Sequence, residues 1–193
     1  MKKQIILVLL GASTMMLLGS WELMRPRIVA YGGLNINNIM GSESWKPCLG
    51  PQLGVAVPLI SCNESMVLRP ELSLSLQGAG WDEDEWTGRT NLWYLNVPLV
   101  MRYQHSSGFF GEAGIQPGFL LSAKDKYDGE SYDYKEYMKS FDLSIPIGVG
   151  YEFKNNLGVG IRVTPGLLDI STDDSKDRNF VIAMRLSYIL GKE

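Results

Sequence analysis

Apolar and polar residues alternate with a period of two along most of this chain, which is the signature of strands with one apolar face. Eight such stretches lie at 28–37, 50–60, 66–77, 91–104, 108–122, 141–153, 157–168 and 179–190. Several run to ten residues or more, whereas a strand of a soluble domain has about five or six. A tilted strand crossing a bilayer needs about 9–11. The intervening segments alternate in length. Long charged ones fall at 38–49, 78–90, 123–140 and 169–178, and short ones at 61–65, 105–107 and 154–156. Alternating short and long connections are the mark of a membrane-spanning up-and-down barrel.

One face of the strands is free of charge. It carries residues such as Leu34 and Ile36, Leu53 and Val55, Leu72 and Leu74, Leu95 and Leu99, Ile147 and Val149, and Val159 and Ile161, in a chain of which 20% is charged. The opposite face carries Arg69, Glu71, Arg102, Glu112, Asp142, Glu152, Arg162 and Arg185 among many Gly, Ser and Asn. A soluble barrel hides its apolar face inside and a membrane barrel turns it outward, so alternation alone fits both. Small residues on the polar face suit a narrow lumen. On the apolar face, Trp93, Phe119, Phe141 and Phe180 fall at the strand ends next to the long connections. Phe109, Tyr151, Phe153 and Tyr188 fall at the opposite ends. Two aromatic girdles around an aliphatic band fit a bilayer. The expected fold is all-β: an eight-stranded antiparallel up-and-down transmembrane β-barrel over 21–193.

Residues 1–20 read as a signal peptide: Lys2 and Lys3, then an apolar run over 5–18. No run of 18 apolar residues exists, so no helical span is expected. The net charge of −3 and the lack of a basic cluster exclude nucleic acid as a partner. The arithmetic of strand number puts both termini in the periplasm and the long loops outside. The expected partners are outer-membrane lipid and an extracellular or envelope protein met through 78–90 and 123–140, the latter rich in tyrosine (Tyr127, Tyr132, Tyr134, Tyr137).

Several short segments are similar to the PorT-type outer-membrane β-barrel domain family: Tyr31-Gly32-Gly33-Leu34-Asn35-Ile36, Arg69-Pro70-Glu71-Leu72, Leu92-Trp93-Tyr94-Leu95-Asn96-Val97-Pro98-Leu99, Gly111-Glu112-Ala113-Gly114 and Gly148-Val149-Gly150-Tyr151-Glu152-Phe153. The resemblance covers about 27–190. It implies a small barrel in the outer membrane of a Gram-negative bacterium, in a family whose naming member resembles a secretion or assembly factor.

Chemistry-bearing features are few. His105, the one histidine, falls in a short turn, away from the long loops where a lipid-modifying enzyme would need a nucleophile and base. The run Asp82-Glu83-Asp84-Glu85 between Trp81 and Trp86 offers oxygen ligands but not the spacing of an EF-hand, and reads as a solvated loop. No catalytic residue, cofactor or metal site is expected. Cys48 and Cys62 flank the second strand, roughly 46 Å apart if it is continuous, so no bridge between them is expected. The inward Arg69, Glu71, Arg102, Glu112, Asp142, Glu152, Arg162 and Arg185 are expected to cancel in charge and interlock, filling a lumen only wide enough for side chains. Prolines 51, 58, 70, 98, 117, 146 and 165 fall within these strands, where each lacks an N–H for the ladder. The function expected is structural or interactive. A lipid-modifying barrel enzyme and a soluble lipocalin-like binder of apolar ligands are the alternatives.

Overall fold

The computed structural model describes residues 22–23, 27–63, 65–83, 86–173 and 175–190. The expected signal peptide lies outside them. Eight antiparallel strands form a closed ring: β1 (Ile28–Met40), β2 (Cys48–Ala56, continued by Ile60–Asn63), β3 (Met66–Glu83), β4 (Trp86–Asn96, continued by Leu99–Gln104), β5 (Phe109–Tyr127), β6 (Phe141–Ser144, continued by Ile147–Glu152), β7 (Leu157–Pro165) and β8 (Arg178–Leu190). Each strand pairs with the next in sequence. β8 closes on β1 over thirteen residue pairs, from Arg178↔Met40 to Leu190↔Ile28. Closure leaves no sheet edge within the ring, which a lipid environment demands.

The faces sort as a membrane barrel requires. Leu34, Leu53, Leu72, Ile115, Ile147, Val149, Ile161 and Leu186 are exposed on the outer wall. Arg69, Glu71, Arg102, Glu112 and Arg162 are buried inside. The expected alternative of a soluble barrel with an apolar interior does not fit this arrangement.

Two of the four long connections differ from expectation. Segment 78–90 is mostly strand: the β3–β4 ladder runs on to Glu83↔Trp86. Segment 123–140 continues β5 to Tyr127, and Glu130–Asp133 folds back on it. The reason for the second is a turn signal. Asp128 and Gly129 both take positive φ, 49° and 77°, the two-residue type I′ geometry that matches strand twist. These hairpins outrun their neighbours, since β5 pairs with β6 only up to Phe119↔Phe141. A four-stranded blade, made by the ends of β3, β4 and β5 and by Glu130–Asp133, therefore projects from this end of the barrel. The remaining connections fold inward over the mouth. Met138 bridges Ser171, Lys139 N–H donates to the Ile170 carbonyl at 2.7 Å, and Thr172 N–H to the Tyr137 carbonyl at 3.0 Å.

The prolines form a belt. β2, β4 and β6 are each interrupted, at 57–59, 97–98 and 145–146, beside Pro58, Pro98 and Pro146. At each break the preceding residue donates to a proline carbonyl on the next strand: Val57 to Pro70 (3.0 Å), Val97 to Pro117 (2.8 Å) and Ile145 to Pro165 (3.1 Å). Those prolines have no N–H to return the bond, so the ladder loses one rung there and keeps the other. Glu71 N–H to the Pro98 carbonyl (2.8 Å) and Gly114 N–H to the Pro146 carbonyl (3.1 Å) link the three interruptions.

Candidate functional site: the lumen and its mouth

The strand alternation delivers inward side chains of β1, β3, β4, β5, β7 and β8 into one layer. Glu71 and Glu112 are its centre, with side chains 0% and 4% exposed. Arg162 spans both, at 2.9 Å to Glu71 Oε2 and in contact with Glu112 Oε1. Arg69 donates to Glu71 Oε1 at 2.6 Å and to Glu112 Oε2 at 3.0 Å. Arg102 binds Glu112 at 2.9 Å and Glu152 at 3.5 Å. Arg185 stands 3.2 Å from Glu71 and 3.6 Å from Glu112. The Tyr31 hydroxyl donates to Glu71 Oε2 at 3.0 Å. A carboxylate held by several guanidinium forks meets the condition under which buried charge is tolerated.

Asp142 does not join this layer. Its Oδ2 accepts from Asn179 Nδ2 at 3.0 Å, and its Oδ1 has no partner in the structure. The inward charges therefore do not cancel within the layer: four arginines face three glutamates, of which Glu152 is about a third exposed. Two aromatic faces absorb the imbalance. Arg102 lies 3.6 Å over the Phe110 ring and Arg185 3.6 Å over the Tyr31 ring. Neither Tyr31 nor Phe110 stood out among the sequence candidates, although the period of two already turns both inward. The space left within the layer is about 20 Å³, room for about one water.

Between this layer and the mouth lies a polar storey of Asn35, Asn37, Ser75, Asp142 and Asn179, with Asn35 Nδ2 donating to Ser75 Oγ at 2.9 Å. Above it sits an apolar plug that the sequence did not reveal: Ile39, Ala79, Leu92, Tyr94, Leu120, Ala123, Met138 and Ile170, all buried. Met138 and Ile170 come from the connections folded over the mouth, so no strand period marks them. Beyond the plug opens a cavity of about 410 Å³.

The aromatic residues expected at the strand ends lie on the outer wall. Phe119 and Phe141 meet at 5.6 Å between ring centroids, Phe109 and Tyr151 at 4.9 Å, and Tyr151 and Phe153 at 4.9 Å. Trp93 and Tyr188 are exposed, and Phe180 is half-buried. Tyr103, 49% exposed and facing outward from β4, was missed by the reading of strand ends and lies one strand from Phe109. All of these belong to β4–β8.

His105 sits in the β4–β5 turn. Its Nδ1 is 2.7 Å from Ser107 Oγ and accepts from Ser107 N–H at 3.2 Å. Both contacts close one turn and serve its backbone. Cys48 carries a free thiol, and the side chain of Cys62 lies outside the described residues. Asp82 pairs with Lys46 at 3.8 Å on the blade. The acidic residues that follow it fall outside the described side chains.

With this geometry in view, the comparison with known families decides the kinship. Residues 24–172 match the family described as outer membrane protein beta-barrel domain. The chain belongs to that family. It is therefore a β-barrel of the bacterial outer membrane. No curated protein sequence matches it. Among solved structures, Neisserial surface protein A (NspA) is similar at 10% identity and a TM-score of 0.58, over 83% of this chain and 96% of that one. Ail, the attachment invasion locus protein of Yersinia pestis, is 14% identical with a TM-score of 0.49, over 86% and 100%. The outer membrane enzyme PagL is 14% identical with a TM-score of 0.45, over 85% and 99%. At these identities the likeness to NspA is one of fold.

Proposed function

We propose that this chain is a non-enzymatic, non-conducting barrel that anchors a protein-binding blade at the cell surface. The observation that carries this reading is the division of labour along the barrel axis. The lumen is filled by paired charges and an apolar plug, while the projecting strands carry a run of aromatic side chains, two of them exposed. There Trp81, Trp86, Tyr127 and Tyr132 make a run of ring contacts at 5.3–6.1 Å. Trp86 and Tyr132 are 55% and 44% exposed. Such rigid amphipathic rings are the residue types that anchor protein recognition. Both termini lie in the periplasm and the blade outside. The segments at 31–36 and 92–99, similar to PorT-type barrels, support a partner engaged in envelope secretion or assembly.

Two experiments test this. Single cysteines placed at Asp128 and at Ser106, in a background lacking Cys48 and Cys62, are exposed to a membrane-impermeant maleimide on intact cells. Labelling at 128 and protection at 106 is the expected result, and the reverse pattern overturns the orientation. Expression in a host, followed by mass spectrometry of its outer-membrane lipids, should leave every lipid mass unchanged. A new acyl or headgroup mass would support the lipid-modifying alternative.

A further inference from the structure

The 410 Å³ cavity above the apolar plug has a chemistry of its own. Ile39 and Met138 form its floor, and Trp45, Trp81 and Tyr134 line its wall. Among the described residues three carboxylates, Asp125, Asp173 and Asp177, face it against one cation, Lys176. The other nearby lysines are engaged elsewhere, Lys46 with Asp82 and Lys139 with Asp169. Asp125 is held in place by Trp81 Nε1 at 2.9 Å and Thr90 Oγ1 at 3.0 Å, both donating to Oδ1. Asp173 accepts from the Ser171 hydroxyl at 2.7 Å and the Ser175 N–H at 2.9 Å, and the Ser175 side chain first, then these two donors, hold its carboxyl down to about 2, so it is ionised at neutral pH. Asp177 is the most telling group. Its Oδ2 accepts from Ser175 Oγ at 3.0 Å, while its Oδ1 is buried with no partner. A buried carboxylate oxygen without a donor is costly, and a ligand N–H that displaced the Gly41 backbone beside it would supply one.

We propose that this mouth cavity binds an organic cation, an ammonium or guanidinium group carried on an apolar or aromatic stem. The carboxylates meet the charge, the indole and phenol faces meet both the cation and its stem, and the apolar floor takes the stem's end. Among the described residues no group of His, Cys, Asp or Glu is arranged to hold a metal ion. The volume suits a small ligand rather than a folded partner. The site shares Trp81 with the blade's aromatic run but opens into the mouth, and it does not depend on which side of the membrane the mouth faces.

The test uses the full chain in detergent and phenethylamine as the probe, with phenethyl alcohol as its neutral counterpart. Binding is read by calorimetry and by the emission of Trp45 and Trp81. Phenethylamine should bind saturably, and the alcohol about tenfold more weakly or worse. Asp177→Asn and, separately, Asp125→Asn should weaken phenethylamine by a similar factor, while each variant still shows the heat-dependent gel shift of a folded barrel. The wild-type comparison of amine and alcohol does not depend on any variant folding. Equal binding of amine and alcohol, absence of saturation, or unchanged affinity in both folded variants would overturn the proposal.

Discussion

The lower and upper storeys of the lumen solve one problem by opposite means. Near the short turns, four arginines and three glutamates fill the barrel with charge, each glutamate shared by more than one guanidinium where it is deepest. Near the long connections, the same narrow space is filled by aliphatic and aromatic side chains. The lower storey is made wholly by strand residues. The upper one needs Met138 and Ile170, which enter from segments folded back over the mouth. A barrel of eight strands leaves an interior that side chains can fill, and either chemistry suffices if every polar group within it is met. The lower storey is rigidly specified because removing any partner strands a charge. The upper storey is less particular about its partners, because apolar packing is non-directional, and is sensitive instead to lost volume.

Removing the hub of the lower storey should break this contrast most sharply. Glu71→Ala leaves Arg69, Arg162 and Arg185 short of a counter-charge and should cost about 3–5 kcal/mol in denaturant unfolding from lipid vesicles. A loss below about 1 kcal/mol would mean the layer is hydrated and loosely coupled. Next in size is a charge moved from the lumen side to the wall. Leu74→Arg, one residue from the inward Ser73 and Ser75, should cost about 2–4 kcal/mol of folding into bilayers. In the upper storey, Ile170→Ala should cost about 2–4 kcal/mol, and Ile170→Val about 1. Proteolysis of the mouth connections should speed up in step. The smallest effect belongs to Asp142. Since its partner is an amide rather than an arginine, Asp142→Asn should change stability by less than about 1 kcal/mol in the same unfolding assay. A cost as large as that of Glu71→Ala would place Asp142 back in the charged layer.

The sequence exposes the lower storey far better than the upper. The period of two puts Arg69, Glu71, Arg102, Glu112, Arg162 and Arg185 on one face, and the small residues beside them with the aromatic strand ends of the other face turn this charged face inward without coordinates. The same period could not separate Asp142 from them. It gives the face of a residue but not its height, and Asp142 sits in the polar storey beside Asn179. The plug was invisible for a different reason: Met138 and Ile170 lie in non-periodic segments whose position is set by the Met138–Ser171 bridge and neighbouring backbone bonds. The blade was partly legible. Asp128-Gly129 is a hairpin signal in plain sight, masked by the charged residues around it. The proline belt was readable only as a difficulty. Its resolution needs two strands at once, since Val57, Val97 and Ile145 each answer a proline on the next strand.

Both storeys close the lumen. Planar-bilayer recording of the purified full chain tests this closure most directly, with Ile170→Ser beside the wild type. The expected result is no stable conductance from the wild type and none from the variant, because the charged layer still seals a barrel whose plug has been loosened. A steady, porin-sized conductance from the wild-type protein would contradict it.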